Sequence, residues 1–302
     1  MTEGFEDVLA RRASQVNATL EDALPVSTGP EARLIAAMRH ALLGPGKRLR
    51  AFLVLESAAL FREPETRALR VASAVECVHA YSLVHDDLPC MDDDDLRRGQ
   101  PTVHKAFDEA TAVLAGDALQ SLAFELLSAP GGYASAAVAG ALCHRMAQAI
   151  GPVGMVGGQM LDILAEERAR AGEASLSLAE TERLQAGKTG ALIRFAASAG
   201  PILADAPSGD LAALDAYGAR LGLAFQIRDD LLDLEGDEDA AGKKLRKDAV
   251  AGKATFVDLL GVEGARKRAG ELVEAAKSAL SHFGEAATLL RQAADFTVDR
   301  LR

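Results

Sequence analysis

Two short stretches concentrate acid inside otherwise apolar sequence. His85 to Gly99 reads HDDLPCMDDDDLRRG, with aspartate at 86, 87 and 92–95 and the run closed by Arg97 and Arg98. Phe225 to Asp233 reads FQIRDDLLD. There Gln226, Asp229, Asp230 and Asp233 fall at i, i+3, i+4 and i+7, one face of a helix. Two carboxylates ~4 Å apart repel by roughly 4 kcal/mol at an effective dielectric near 20. An apolar segment gains nothing from that repulsion unless cations bind there. Carboxylates in open geometry suit a hard ion: Mg²⁺, with Mn²⁺ as the alternative, keeps some waters and completes its shell with phosphate oxygens. A calcium loop would need glycine at its sixth position. Counted from Asp86 that residue is Met91, and from Asp92 it is Arg97.

The spacing also predicts how the first set is assembled. In VECVHAYSLVHDDL, His79, Leu83 and Asp86 lie at i, i+4 and i+7, so one helical face carries a histidine and an aspartate among apolar neighbours. Pro89 disfavours helical geometry at Leu88 and ends or kinks the helix. Asp92 is then free of helical phase and can swing back beside Asp86, with Asp87 supporting. Asp93 to Asp95 are read as solvated or supporting residues.

A metal-held phosphate also needs positive partners. GPGKRLRAFLV offers Lys47, Arg48 and Arg50 at a helix start after two glycines, where amides and the helix dipole favour anions. Arg97 and Arg98 add two more cations. Lys188-Thr189, in AGKTGAL, interrupts an apolar helix. A lysine buried there needs an anion, unless it snorkels to the surface. Lys243 and Lys253 belong to GDEDAAGKKLRKDAVAGK, a charged, glycine-punctuated stretch over 236–253 that reads as a mobile loop. Neither a phosphate-loop nor a dinucleotide-binding glycine motif is present.

The elements that must carry these residues are helical. Ala, Leu, Glu and Arg are abundant, aromatic residues make up 4% of the 302, and β-branched runs are short. The pattern predicts an all-α chain with ten or so helices in a single domain, 1–302, since no Pro/Ser-rich linker divides it. Pro30 and Pro64 sit at helix starts, and Ser177 with Glu180 has capping-box spacing. Leu126 to Cys143 lacks charge, but Pro130-Gly131-Gly132 breaks it into a turn and a packed helix, too short to span a bilayer. The net charge of -11 argues against a nucleic-acid partner and requires any phosphate site to be built locally. Cys77, Cys90 and Cys143, without CxxC spacing, suggest neither a disulfide framework nor a zinc site. With no export signal at the N-terminus, they imply a reducing, cytoplasmic setting.

In sequence order, GPGKRLR, VECVHAYSLVHDDLPCMDDDDLRRGQPTVHKAF, LAGDAL, GKTGAL, FQIRDDLLDLEGD and GKAT resemble the trans-isoprenyl diphosphate synthases over nearly the whole chain. Within that family the pattern is most similar to the bacterial farnesyl diphosphate synthases. The resemblance implies the isoprenoid synthase fold, about ten core helices around a deep cavity, usually as a homodimer. It implies a prenyltransferase that joins isopentenyl diphosphate to dimethylallyl or geranyl diphosphate. Asp86, Asp92 and Asp229, supported by Asp87, Asp230 and Asp233, would hold three Mg²⁺. Arg97, Lys188, Gln226, Lys243 and Lys253 would hold the allylic diphosphate, Lys243 interchangeable with Lys247. Lys47, Arg50, His79 and Arg98, with Arg48 nearby, would hold isopentenyl diphosphate. Thr189 and the Lys188 carbonyl would face the allylic cation, and Lys188, Thr189 and Arg97 would act in catalysis.

The chain departs from the common family pattern at Pro45, Arg228 and Phe256-Val257, none of which removes an expected ligand. Product length would depend on Tyr81 and Ser82, five and four residues before Asp86. One aromatic there, with the two extra residues in DDLPCMD, resembles the farnesyl members. A geranylgeranyl synthase is the near alternative, and a non-catalytic subunit of a synthase heteromer the alternative of another class. At ~100° per residue Tyr81 lies about 140° around the helix from Asp86, so phase alone leaves its direction open.

Overall fold

The structure is a computed structural model that describes residues 4–235 and 255–299. The described elements, in order, are α1 (Phe5–Ala23), α2 (Ala32–Leu42), α3 (Leu49–Leu60), α4 (Glu65–Asp86), a two-residue-strand hairpin β1 (Leu96–Arg97) and β2 (Gln100–Pro101), α5 (Val103–Ala106), α6 (Glu109–Ser128), α7 (Ala136–Ile150), α8 (Met155–Arg170), α9 (Leu178–Gln185), a π-helical turn (Ala186–Gly190), α10 (Ala191–Leu203), α11 (Ser208–Glu235), α12 (Phe256–Ala279), a 3₁₀ segment (Ser281–Ala287) and α13 (Thr288–Asp299). Lys243, Lys247 and Lys253 lie outside the described residues.

Local chemistry starts the helices where the sequence predicts. Pro64 is the N-cap residue of α4, and Ser177 with Glu180 forms the capping box of α9. A second box, Thr255 with Asp258, opens α12. Asp108 and Ser135 cap α6 and α7 through their side chains. Such caps contribute ~1 kcal/mol each by satisfying amides that have no helical partner.

Two helices are apolar nearly all round and therefore central. Residues 71–78 of α4 are all buried, as are Phe195 to Leu203 of α10. α10 packs against α3, α4, α7 and α11, while α4 packs against α3 and α6, and α11 against α12. The Tyr217 hydroxyl donates to the Leu290 carbonyl at 2.7 Å, tying α11 to α13. The C-terminal end of α4 and the π turn line one cavity, and α11 packs against the π turn.

One described helix, α6, is long and apolar enough to cross a membrane by length and composition. Its Leu119, Ala123 and Leu127 are core residues at 0% exposure, as a helix packed on α4 requires.

Candidate active site

The break at Pro89 does what its chemistry dictates. α4 stops at Asp86, and the chain turns so that the Asp92 amide donates to the Asp86 carbonyl at 2.8 Å. The Asp93 and Asp94 amides donate to Leu88 and Asp87 carbonyls, closing the loop on itself. Burial pushes the Asp86 carboxyl up to about 6, against the opposing pull of Lys188; Asp92 and Asp87 push it further. Asp86 is thus a half-buried carboxylate short of positive charge.

Asp87 is differently placed. Its carboxylate accepts from Arg97 Nε at 2.7 and 3.0 Å and pairs with Nη2 at 2.5 Å, a bidentate clamp that holds the hairpin to the end of α4. Burial pushes the Asp87 carboxyl up while Arg97 pulls it down. Asp87 thus supports by anchoring Arg97. Arg98, next in sequence at φ 52°, points the other way and donates to the Pro45 carbonyl at 2.7 Å.

The basic turn before α3 divides into distinct environments. Lys47 is exposed, its Nζ 4.9 Å from the centre of the Phe296 ring. Arg50 Nη1 is 3.5 Å from His79 Nε2, and both line one cavity with Asp86 and Lys188. Burial, then Arg50, drives His79 well below its ordinary value, so it is a neutral imidazole. Arg48 turns into the fold. It is 7% exposed and donates to Asn17, to buried Glu76 and to the Leu42 and Gly44 carbonyls. Arg48, expected near isopentenyl diphosphate, is thus bound into the fold, where its four bonds hold the turn on which Lys47 sits.

Across the cavity, α8 meets the π turn at very close range. A Cβ on Gly158 would sit 2.1 Å from the Lys188 amide nitrogen and 2.6 Å from its Cα, so only glycine fits. This approach puts Asp162 against the Lys188 ammonium as an ion pair. The anion that half-buried Lys188 calls for is therefore supplied by the protein. A lone aspartate in the apolar run MVGGQMLDILAE was the sequence signal for it, and it was missed. π turns are rare and insert one extra residue into a helix. Here the turn carries Lys188 and Thr189, both of which line the cavity.

Thr189, on the cavity wall, is bonded to the second acidic set. Its hydroxyl donates to Gln226 Oε1 at 3.0 Å, and Gln226 Nε2 donates to Asp230 Oδ1 at 2.9 Å. The other Asp230 oxygen accepts the Phe256 amide at 2.8 Å, so this buried carboxylate ties α11 to the start of α12. Asp229 is the more open of the pair, 3.3 Å from Arg228 Nη1, and its charge opposes the lowering that burial imposes on Arg50. Asp233 is half-buried one turn further along.

Below these polar groups lies a cavity of about 500 Å³. Its walls include Tyr81 and Ser82 of α4, Val113 of α6, and Met155, Val156, Met160 and Ile163 of α8. Tyr81 is 6% exposed and its ring stands edge-on to His85, with centroids 5.9 Å apart. The α8 lining was not legible in the sequence, because its residues look like ordinary core.

Aspartates, a paired lysine and a half-buried arginine at the mouth of an apolar pocket suit an amphipathic anion. The chain belongs to the polyprenyl synthetase family, whose model matches residues 31–291. In particular, it is 42% identical to the farnesyl diphosphate synthase of Escherichia coli strain K12, over 97% of each chain. It is 40% identical to that of Bacillus subtilis strain 168, over 99% of each. Among solved structures, an FPP/GFPP synthase from Zymomonas mobilis superposes with a TM-score of 0.90 at 46% identity, covering 99% of this chain and 100% of that one.

Proposed function

We propose that the protein is a Mg²⁺-dependent trans-prenyltransferase that makes farnesyl diphosphate from isopentenyl diphosphate and an allylic diphosphate. One observation carries the reading: Asp86, Lys188 and Thr189 rim the same apolar cavity, and Thr189 connects through Gln226 to the second aspartate set. The similarity to farnesyl diphosphate synthases over almost the full length supports the same reading.

The donor set fits the ion. Asp86, raised to about 6 by burial with Asp92 adding to the rise, is a carboxylate short of positive charge. All the proposed ligands, Asp86, Asp92 and Asp229 with Asp87, Asp230 and Asp233 behind them, are hard oxygen donors. Bound there, Mg²⁺ supplies charge neutralisation for a departing diphosphate. Three ions are proposed, with Mn²⁺ as a substitute.

The chain's own residues do the rest. Lys188 and Arg97, with Gln226, hold the allylic diphosphate and stabilise the charge it gains as it leaves. Lys247 or Lys243, with Lys253, would complete that set. Arg50, neutral His79, Arg98 and Lys47 hold isopentenyl diphosphate, directing its double bond toward the allylic carbon. The Thr189 hydroxyl and the Lys188 carbonyl face the allylic cation. The apolar walls exclude water, which would otherwise capture it. Tyr81 closes the far end of the cavity and limits the product to fifteen carbons, with Ser82 beside it.

We further propose a homodimer. Val113 and Leu114 of α6 and Val156, Met160, Leu161 and Leu164 of α8 are exposed apolar residues on helices that share a cavity wall, and a second copy would cover them. One incubation tests the activity: isopentenyl diphosphate with dimethylallyl or geranyl diphosphate and Mg²⁺. Farnesyl diphosphate is expected, and absence of elongation with either primer would overturn the reading.

A further inference from the structure

A second group of metal-ligating side chains lies outside the residues that rim the cavity. One oxygen each of Asp93 and Asp95 and a ring nitrogen of His104 lie within 4.8 Å of one another. The aspartates are exposed, whereas His104 is 7% exposed.

The hydrogen bonds around His104 fix its tautomer. The Thr102 hydroxyl has one hydrogen, and it donates to the Asp94 carbonyl at 2.8 Å. Thr102 Oγ1 is also 3.1 Å from His104 Nδ1, so there it accepts, and Nδ1 carries the ring proton. In the neutral ring Nε2 is then the atom with the free lone pair. It is buried and has no hydrogen-bond partner. A buried acceptor without a partner is costly. An imidazole with one nitrogen donating to a supporting oxygen and the other bare is the form in which histidine ligates metals.

We propose that Asp93, Asp95 and His104 form a divalent-cation site distinct from the diphosphate-binding aspartates. One imidazole nitrogen with two carboxylates selects Zn²⁺, Co²⁺ or Mn²⁺ over Mg²⁺, because nitrogen ligation suits the softer ions. Lys105, 2.8 Å from Asp95 Oδ1, is 44% exposed, so a divalent ion displaces that pair at little cost. The cation would join residues 93 and 95, before β1, to residue 104, after β2. It would thereby clip both ends of the hairpin that carries Arg97 and Arg98.

Titration of Zn²⁺ into full-length, chelator-treated protein, with no diphosphate present, tests this apart from any activity. One Zn²⁺ per chain should bind, and a double variant, Asp86→Asn with Asp92→Asn, should bind it equally well. The exposed pair Asp93→Asn with Asp95→Asn should weaken binding at least tenfold with unchanged circular dichroism. Absence of binding without diphosphate, binding insensitive to the Asp93/Asp95 change, or binding lost with the Asp86/Asp92 change would each overturn the proposal.

Discussion

Replacing Asp86 by Asn should stabilise the metal-free protein while destroying its activity. Burial raises the Asp86 carboxyl from 3.8 to about 6. A shift of roughly 2 units corresponds to about 3 kcal/mol of disfavour for the ionised form. Water reaching this half-buried group reduces that to about 1–2 kcal/mol. The sign follows from linkage: a carboxyl whose folded value lies above its unfolded one contributes its full stability below the unfolded value and loses it as pH rises through the folded value. The native state is therefore penalised progressively between pH 4 and pH 6, and fully at pH 8. Asparagine keeps the shape and removes the charge. Thermal unfolding in EDTA at pH 8 should give a Tm about 2–3 °C higher for Asp86→Asn, and the gap should be about half as large at pH 5. Adding Mg²⁺ with inorganic pyrophosphate should reverse the order, because the variant has lost one of the ligands that the ions gain from. A variant less stable than the native chain at pH 8, or a gap independent of pH, would refute the account of Asp86 as a carboxylate held short of charge.

Tyr81→Ala should open the cavity floor and shift the product profile toward twenty carbons or more; an unchanged chromatogram would remove Tyr81 as the limit. Arg48→Ala should cost ~3–5 kcal/mol in denaturant unfolding, because it strands buried Glu76. Arg50→Ala should mainly raise the KM for isopentenyl diphosphate. Equal effects of these two changes on KM would contradict the assignment of Arg48 to the fold. Gly158→Ala cannot fit a Cβ against the Lys188 backbone, so it should lower Tm by several degrees and kcat at least tenfold, read by thermal unfolding and initial rates.

Much of the site could be read from residue spacing, and the exceptions have physical causes. Pro89 announced the end of α4, and the loop it permits brings Asp92 back to the Asp86 carbonyl. The shared helical face of Gln226, Asp229 and Asp230 was also legible, because helical period is local. Their division of labour was not. Asp230 bonds the Phe256 amide, a contact 26 residues away that no pattern encodes. Asp87 looked like a neighbour of ligands but is the clamp for Arg97, which depends on how the hairpin folds back. Arg48 looked equivalent to Lys47 and Arg50, yet its left-handed backbone at φ 52° turns it inward. The π turn was invisible, since AGKTG is compatible with an ordinary helix. The need of Lys188 for an anion was foreseeable, while Asp162 as its source depended on the Gly158 approach. Helix starts were recovered where a cap or proline marks them, as at Pro64 and Ser177.

The most direct measurement is product analysis after incubating the purified chain with isopentenyl diphosphate, geranyl diphosphate and Mg²⁺. The account predicts farnesyl diphosphate as the main product, lost on chelation of Mg²⁺ and lost in Asp86→Asn. No elongation, or elongation that persists in EDTA, would contradict it.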